Sequence, residues 1–263
     1  MDDRELALKV AHRGAAVVRG WMGRLEGADF KGEVDPVTEA DRRSEAVMLE
    51  LIGRHRPEDG ILSEEAGGST TLGRHWVVDP LDGTVNFLHQ VPHVAVSVAL
   101  FEGEQPLLGV VVDVFREEEF VATRGAGVEL DGHPVRVTER TELSESLLAT
   151  GFPYDRRRHG AEYVTTLGAV LIAARGVRRM GTAALDLAWV AAGRYDGFWE
   201  FKLGPWDVGA GMLLVEEAGG TLTDHLGDPY RLGGEVVVAS NGLIHEELCR
   251  LVAENLPPHM RGG

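Results

Sequence analysis

The sequence predicts an α/β protein: an α+β lobe over residues 1–140 and an α/β lobe over residues 141–263, joined in one unit. Three observations carry this. Two stretches with apolar residues at helical spacing come first, and a series of short strand-like runs follows them. Beyond the polar stretch Arg140–Ser144, strand and helix patterns alternate to the end of the chain.

Asp2–Arg24 sets Leu6, Val10, Val17 and Trp21 at helical spacing and predicts the first helix. Thr38–His55 predicts the second, with Thr38 as N-cap and Asp41 at N3 in the manner of a capping box. Strands are expected at Gly60–Ser63, Trp76–Val78, Val94–Phe101, Leu107–Val114 and Glu119–Thr123. A hairpin turning at Asp131-Gly132 closes this half at Val137. The second half reads as strands at Leu147–Thr150, Val177–Met180, Gly197–Phe201, Gly220–Thr223 and Glu235–Ala239. Helices are expected at Ala161–Arg175, Thr182–Ala192, Trp206–Glu217 and Leu243–Ala253.

The 263 residues, 44% of them apolar, supply ample core. No run of about 18 apolar residues exists to span a membrane. The acidic start MDDRELALKV is unlike a targeting peptide, and one cysteine, Cys249, excludes an internal disulfide; a cytoplasmic setting is expected. A net charge of −16 argues against a nucleic-acid partner. It also means that a phosphate substrate would be repelled unless cations mediate.

The most informative stretch is WVVDPLDGTVNF, Trp76–Phe87. A buried strand delivers Asp79 and Asp82 at its exit, and Gly83-Thr84 opens a short helix. Two acids there suit a hard cation, and free N–H groups at a helix start suit an anion, which suggests metal-assisted chemistry on a phosphate. A turn and a helix cap would explain the same acids without any metal. An EF-hand is excluded, because Leu81 and Thr84 stand where it needs an oxygen ligand and a glycine. Glu64 and Glu65 end the preceding strand; they read as a solvated turn unless that strand neighbours the one feeding Asp79.

Asp207, in PWDVGAGMLL, and Asp41 each sit in a helix's first turn, where a dipole partner or capping acid is the ordinary role. Gly209, Ala210 and Gly211 would let their helix pack closely on a neighbour. Gly181-Thr182-Ala183 forms another strand-to-helix junction. Arg156-Arg157-Arg158 reads first as a solvated loop, with contact to a substrate phosphate or a partner as the alternative. GAGVEL and GAGMLL lack the third glycine of a dinucleotide fingerprint, and no histidine pair on a helix suggests a zinc protease.

DPLDGTVNF, preceded by SEE and followed by PWDVGAG, resembles the inositol monophosphatase family of Mg²⁺-dependent, lithium-sensitive phosphatases. DPVTEAD (Asp35–Asp41), GTAALDLAWVAAGRYDGFWE (Gly181–Glu200) and VVVASNG (Val236–Gly242) fall in the family's order, so nearly the whole chain is covered. The resemblance implies a layered αβαβα sandwich, usually a homodimer. It implies that Glu64, Asp79 and the Leu81 carbonyl hold one Mg²⁺, that Asp79, Asp82 and Asp207 hold a second, and that Glu64 helps hold a weaker third. Gly83 and Thr84 would receive the phosphate. Thr84 and Asp41 would orient and deprotonate the attacking water. Gly181, Thr182, Ala183 and Glu200 would line the alcohol side, with Asp82 and Asp207 also facing substrate. Ser63 departs from the family's frequent glycine, and Lys31 stands near a family lysine at an uncertain spacing.

The expected activity is therefore hydrolysis of a phosphate monoester, inositol 1-phosphate first. The alternative within the family is a fructose-1,6-bisphosphatase, with histidinol phosphate and nucleotide 3′-phosphates behind it. A catalytically idle regulatory homologue would show a damaged acidic set, and Glu64, Asp79, Asp82, Asp207, Asp41 and Thr84 are all present.

Overall fold

The structure, a computed structural model, describes residues 1–24, 29–30, 36–68 and 73–260. Lys31 and Asp35 lie outside the described residues.

Helices α1 (Asp3–Trp21) and α2 (Glu39–His55) flank the short pair β1 (Asp29–Phe30) and β2 (Pro36–Val37). The first half continues through β3 (Gly60–Ser63), β4 (Gly67–Gly68), β5 (Arg74–Asp82), α3 (Thr84–Leu88) and β6 (Ala95–Glu102). It ends with β7 (Gln105–Asp113), β8 (Glu118–Thr123), β9 (Gly127–Leu130) and β10 (His133–Val135). The second half runs β11 (Leu147–Thr150), α4 (Arg156–Ala173), β12 (Gly176–Arg178), α5 (Ala183–Ala191), β13 (Gly197–Phe201) and α6 (Pro205–Glu217). It closes with β14 (Thr221–Thr223), β15 (Val236–Ser240) and α7 (His245–Glu254). Among the described residues no helix is long and apolar enough to cross a membrane.

One sheet has the order β10-β9-β8-β7-β6-β5-β3-β4, and a second has the order β12-β11-β13-β15-β14. α1 and α2 pack on one face of the larger sheet and α6 on the other. α5 packs on α6 and on β11, β13 and β15 of the smaller sheet, whose far side carries α7 and, beside it, α4. These five layers are the αβαβα sandwich the resemblance implied.

Strand periodicity builds the layers, because alternate side chains leave opposite faces. In β5, Trp76 and Val78 join the core under α1 and α2, while Val77 joins the middle core. In β13, Phe198 faces the middle and Trp199 and Phe201 face α4 and α7. α6 lies between sheet and helix, so Val208 through Val215 are all buried. At Gly211 an added Cβ would stand 2.5 Å from Leu187 of α5, so only glycine permits this approach. The small residues of PWDVGAG therefore serve the close packing expected of them.

Two expectations are corrected. The predicted strand Trp76–Val78 extends to Asp82, because β5 keeps pairing with β6 across a register shift between Asp79 and Asp82. Arg156-Arg157-Arg158 are no solvated loop; they form the first turn of α4, which starts five residues before the predicted Ala161.

Candidate active site

β3 and β5 are parallel neighbours, Ser63 opposite Val78, and the Glu64 N–H donates to the Val78 carbonyl at 3.3 Å. The acidic ends of the two strands thereby converge, as the motif reading required. Asp79, Asp82 and Asp207 each bring a carboxylate oxygen within 4.8 Å of the others. Backbone N–H groups orient all three: Leu81 donates to Asp79 at 2.9 Å, Ala184 to Asp82 at 2.7 Å and Gly204 to Asp207 at 2.6 Å. The turn and cap explanations thus hold in part. Asp82 binds the first turn of α5 from across the molecule, and the same bond aims it at the cluster.

The second cluster is centred on Asp41, which is buried. Its Oδ2 accepts from the Thr38 N–H at 2.9 Å and the Thr38 hydroxyl at 2.5 Å, completing the capping box. Its Oδ1 accepts from the Thr84 hydroxyl at 3.1 Å. The Leu81 carbonyl lies 3.2 Å from the same hydroxyl. Gly83 stands before Thr84 at φ 95°, where an added Cβ would meet Thr182 Oγ1 at 2.7 Å. Both the left-handed backbone and the missing space exclude a side chain there.

A cavity of about 440 Å³ opens over these groups. Glu64, Asp82, Gly83, Thr84 and Asp207 line its floor, and Gly181, Thr182, Ala183 and Glu200 line the side toward the smaller sheet. Asp41, Asp79 and Leu81 lie buried behind that lining. The Thr182 hydroxyl is already engaged with the His93 carbonyl at 3.0 Å, so its contribution to the wall is positional.

Burial pushes the Asp79 carboxyl well above the usual range, and Glu64, Asp82 and Asp207 push it further. Asp82 is raised by burial and by Asp207, against the opposing Ala184 N–H. Burial raises Asp41 in spite of its bonds from Thr38 and Thr84. Glu200 rises to about 8 through burial, opposed by Arg179 and reinforced by Asp207. So many acids cannot ionise together in a low-dielectric site without cations, and an all-oxygen donor set suits a hard one. The residues present therefore fit Mg²⁺.

Several contributors escaped the sequence reading. Glu45 accepts from the Ser63 hydroxyl at 2.5 Å and from the N–H groups of Glu65 and Ala66 at 3.0 and 2.9 Å, holding the turn that carries Glu64. Its place one helical turn after Asp41 was the available signal. Asn86 ties the carbonyls of His93 and Met180 together at 2.9 Å each. Asp186 is buried in α5 with no hydrogen-bond partner for either oxygen among the described residues, and burial, Glu200 and Asp82 hold its pKa well up. Gly151 makes room for Glu200, whose carboxylate would lie 2.1 Å from an added Cβ. Arg179 and Lys202 line the cavity's outer part, together with Arg156, which the sequence offers as an alternative contact to a substrate phosphate.

Carboxylates that demand cations, facing a cavity sized for a small alcohol, mark the class of metal-dependent phosphatases. The profile of the inositol monophosphatase family matches residues 3–256, and the chain belongs to that family. It is 40% identical over 252 residues to an inositol-1-monophosphatase of Synechocystis sp., covering 95% of this chain and 88% of that one. It is 39% identical to the Nus factor SuhB of Pseudomonas aeruginosa, with 97% of each chain covered. Among solved structures, the inositol monophosphatase of Anabaena superposes with a TM-score of 0.88 at 40% identity, covering 97% of both chains. The Thermotoga maritima IMPase superposes at 0.90 with 33% identity, covering 97% of this chain and 98% of that one.

Proposed function

We propose that the protein hydrolyses the phosphate monoester of a small polyol, an inositol 1-phosphate first, with Mg²⁺ held by Glu64, Asp79, Asp82, Asp207 and the Leu81 carbonyl. The observation that carries the reading is the convergence of Asp79, Asp82 and Asp207 beside the Thr84–Asp41 hydrogen bond. Bound there, Mg²⁺ would polarise the phosphoryl oxygens and neutralise the charge that develops as the ester breaks.

The chain's own groups do the rest. Thr84 has one hydroxyl proton and two acceptors in reach. Donating it to Asp41 leaves the Thr84 lone pair to accept from the attacking water and leaves the Leu81 carbonyl for the cation. Burial raises the proton affinity of Asp41, which suits it to draw that proton as the water attacks phosphorus. The P–O ester bond breaks, and the leaving alkoxide takes a proton from a second water, whose hydroxide recovers the proton held at Asp41, so that the alcohol departs on the Glu200 side. With a pKa of about 8, Glu200 can donate to or accept from a substrate hydroxyl near neutral pH.

Arg156, Arg179 and Lys202 around the outer cavity favour one second reading, a substrate with another anionic group such as fructose 1,6-bisphosphate. Relatives also carry the name Nus factor; a net charge of −16 disfavours direct contact of this chain with a polyanion. Lithium sensitivity and a homodimer belong to the same reading; light scattering of the purified chain tests the second.

Phosphate release from inositol 1-phosphate, fructose 1,6-bisphosphate, glycerol 2-phosphate and adenosine 3′,5′-bisphosphate, with and without chelator, tests the proposal. Inositol 1-phosphate should turn over fastest and chelator should abolish release; release that survives chelation refutes the metal assignment. Asp207→Asn should lower kcat/KM by roughly a hundredfold or more. Near-normal turnover of that variant at low Mg²⁺ would remove Asp207 from the site.

A further inference from the structure

A group of titratable side chains outside the acidic cluster lies where the start of α4, the end of β13 and the C-terminal turn Pro258–Met260 meet. Asp155, His159 and His259 each bring one ligand atom within 4.8 Å of the others. The two imidazoles lie face to face with centroids 3.9 Å apart and planes tilted by 30°. Glu162 bridges them: His159 Nδ1 lies 3.1 Å from Glu162 Oε1, and His259 Nδ1 lies 2.6 Å from Glu162 Oε2. A carboxylate only accepts, so both Nδ1 atoms carry the proton, and in the neutral rings each Nε2 keeps its lone pair. A carboxylate behind the Nδ1–H of a ligating histidine is the support that metal-binding imidazoles use.

The Nε2 side of His259 already faces a cation. The Lys202 ammonium lies 3.5 Å from His259 Nε2 and 2.7 Å from Asp155 Oδ2. The Tyr163 hydroxyl donates to Asp155 Oδ1 at 2.7 Å, which orients that carboxylate. One nitrogen of each imidazole and an Asp155 carboxylate oxygen, all within 4.8 Å of one another, form a donor set for a borderline ion. Mg²⁺, which requires oxygen ligands and holds its waters, is a poor fit.

We propose that Asp155, His159 and His259 form a zinc-class metal site, distinct from the acidic cluster, in which the metal replaces the Lys202 ammonium and Glu162 orients both imidazoles. The site ties the C-terminal turn to α4, and it releases Lys202, which also lines the cavity. It does not depend on the phosphatase reading.

Calorimetric titration of the metal-stripped full chain with Zn²⁺, in excess Mg²⁺, tests it. Wild type and Asp207→Asn should both bind one Zn²⁺ equivalent that Mg²⁺ does not displace. His159→Ala and His259→Ala should each weaken that binding at least tenfold, and Co²⁺ in the wild type should show the visible absorption of a nitrogen-ligated ion. An unchanged circular dichroism spectrum establishes that the variants fold. Absence of a Mg²⁺-resistant equivalent in wild type overturns the proposal, as do histidine variants that bind as tightly as wild type. Loss of the equivalent in Asp207→Asn alone would move it to the acidic cluster and overturn the proposal too.

Discussion

Thr84 shows how little a residue's local role says about its use. Locally it opens a five-residue helix, and in the fold its hydroxyl reaches Asp41, 43 positions earlier in the chain. Thr84→Ala should lower kcat by roughly 10²–10⁴ while inorganic phosphate binds as in wild type. Steady-state kinetics with phosphate as competitor separates the two, and a defect confined to KM would contradict the role in orienting water. Glu200 carries a pH prediction. Its pKa rises from 4.5 to about 8 on folding, so between those values the folded chain holds a proton that the unfolded chain releases. Its contribution to stability is therefore full below the unfolded value and lost as pH rises through the folded one. In chelator, the denaturation midpoint of wild type should fall between about pH 5 and about pH 9, and Glu200→Gln should fall less. Equal falls in the two proteins would rule Glu200 out as the cause. Asp79, Asp82 and Asp207 were legible as residues because each stands in a short motif. The bonds that aim them were not, since the Ala184 N–H that holds Asp82 lies 102 positions away.

At the scale of elements, α2 acts as the frame of the metal side. Asp41, Ser44 and Glu45, spaced three and four apart, share one face. They bond respectively to Thr84, to the Pro80 carbonyl at 2.8 Å, and to the turn after β3. Glu45→Ala would leave two part-buried backbone N–H groups of that turn without their acceptor, a cost of about 1 kcal/mol each once water reaches them. It should also weaken Mg²⁺ activation by roughly 10–100-fold, as loss of supporting groups at metal sites does. The Mg²⁺ concentration for half-maximal activity measures this, and an unchanged value would show that Glu45 serves stability alone. Helix and strand positions were largely readable, because periodicity and capping are local. The start of α4 was not, since three consecutive arginines look solvated until Arg156 is placed beside the cavity.

At the scale of the molecule, the acids of the site join two layers packed face to face, the larger sheet and the middle helices. Asp79 and Asp82 come from the larger sheet, while Asp207 starts α6, which packs across that sheet's face. A cation held by both stabilises the folded chain alone. With Mg²⁺ at about 100 times its dissociation constant, the gain is about 2.7 kcal/mol, and melting should rise by roughly 5–10 °C over chelated protein. Differential scanning calorimetry reads this, and an unchanged Tm would count against cation binding by these carboxylates. The sequence by itself determined the order and type of most elements, the family, and which acids and threonine to look for at the cavity, because those signals lie in short runs. Only the tertiary structure decided that Asp82 caps α5, that Glu45 holds the Glu64 turn, that Arg156 reaches the cavity, and that His159 and His259 share Glu162. Those relations join positions far apart in the chain, and packing of the layers alone sets which of them meet.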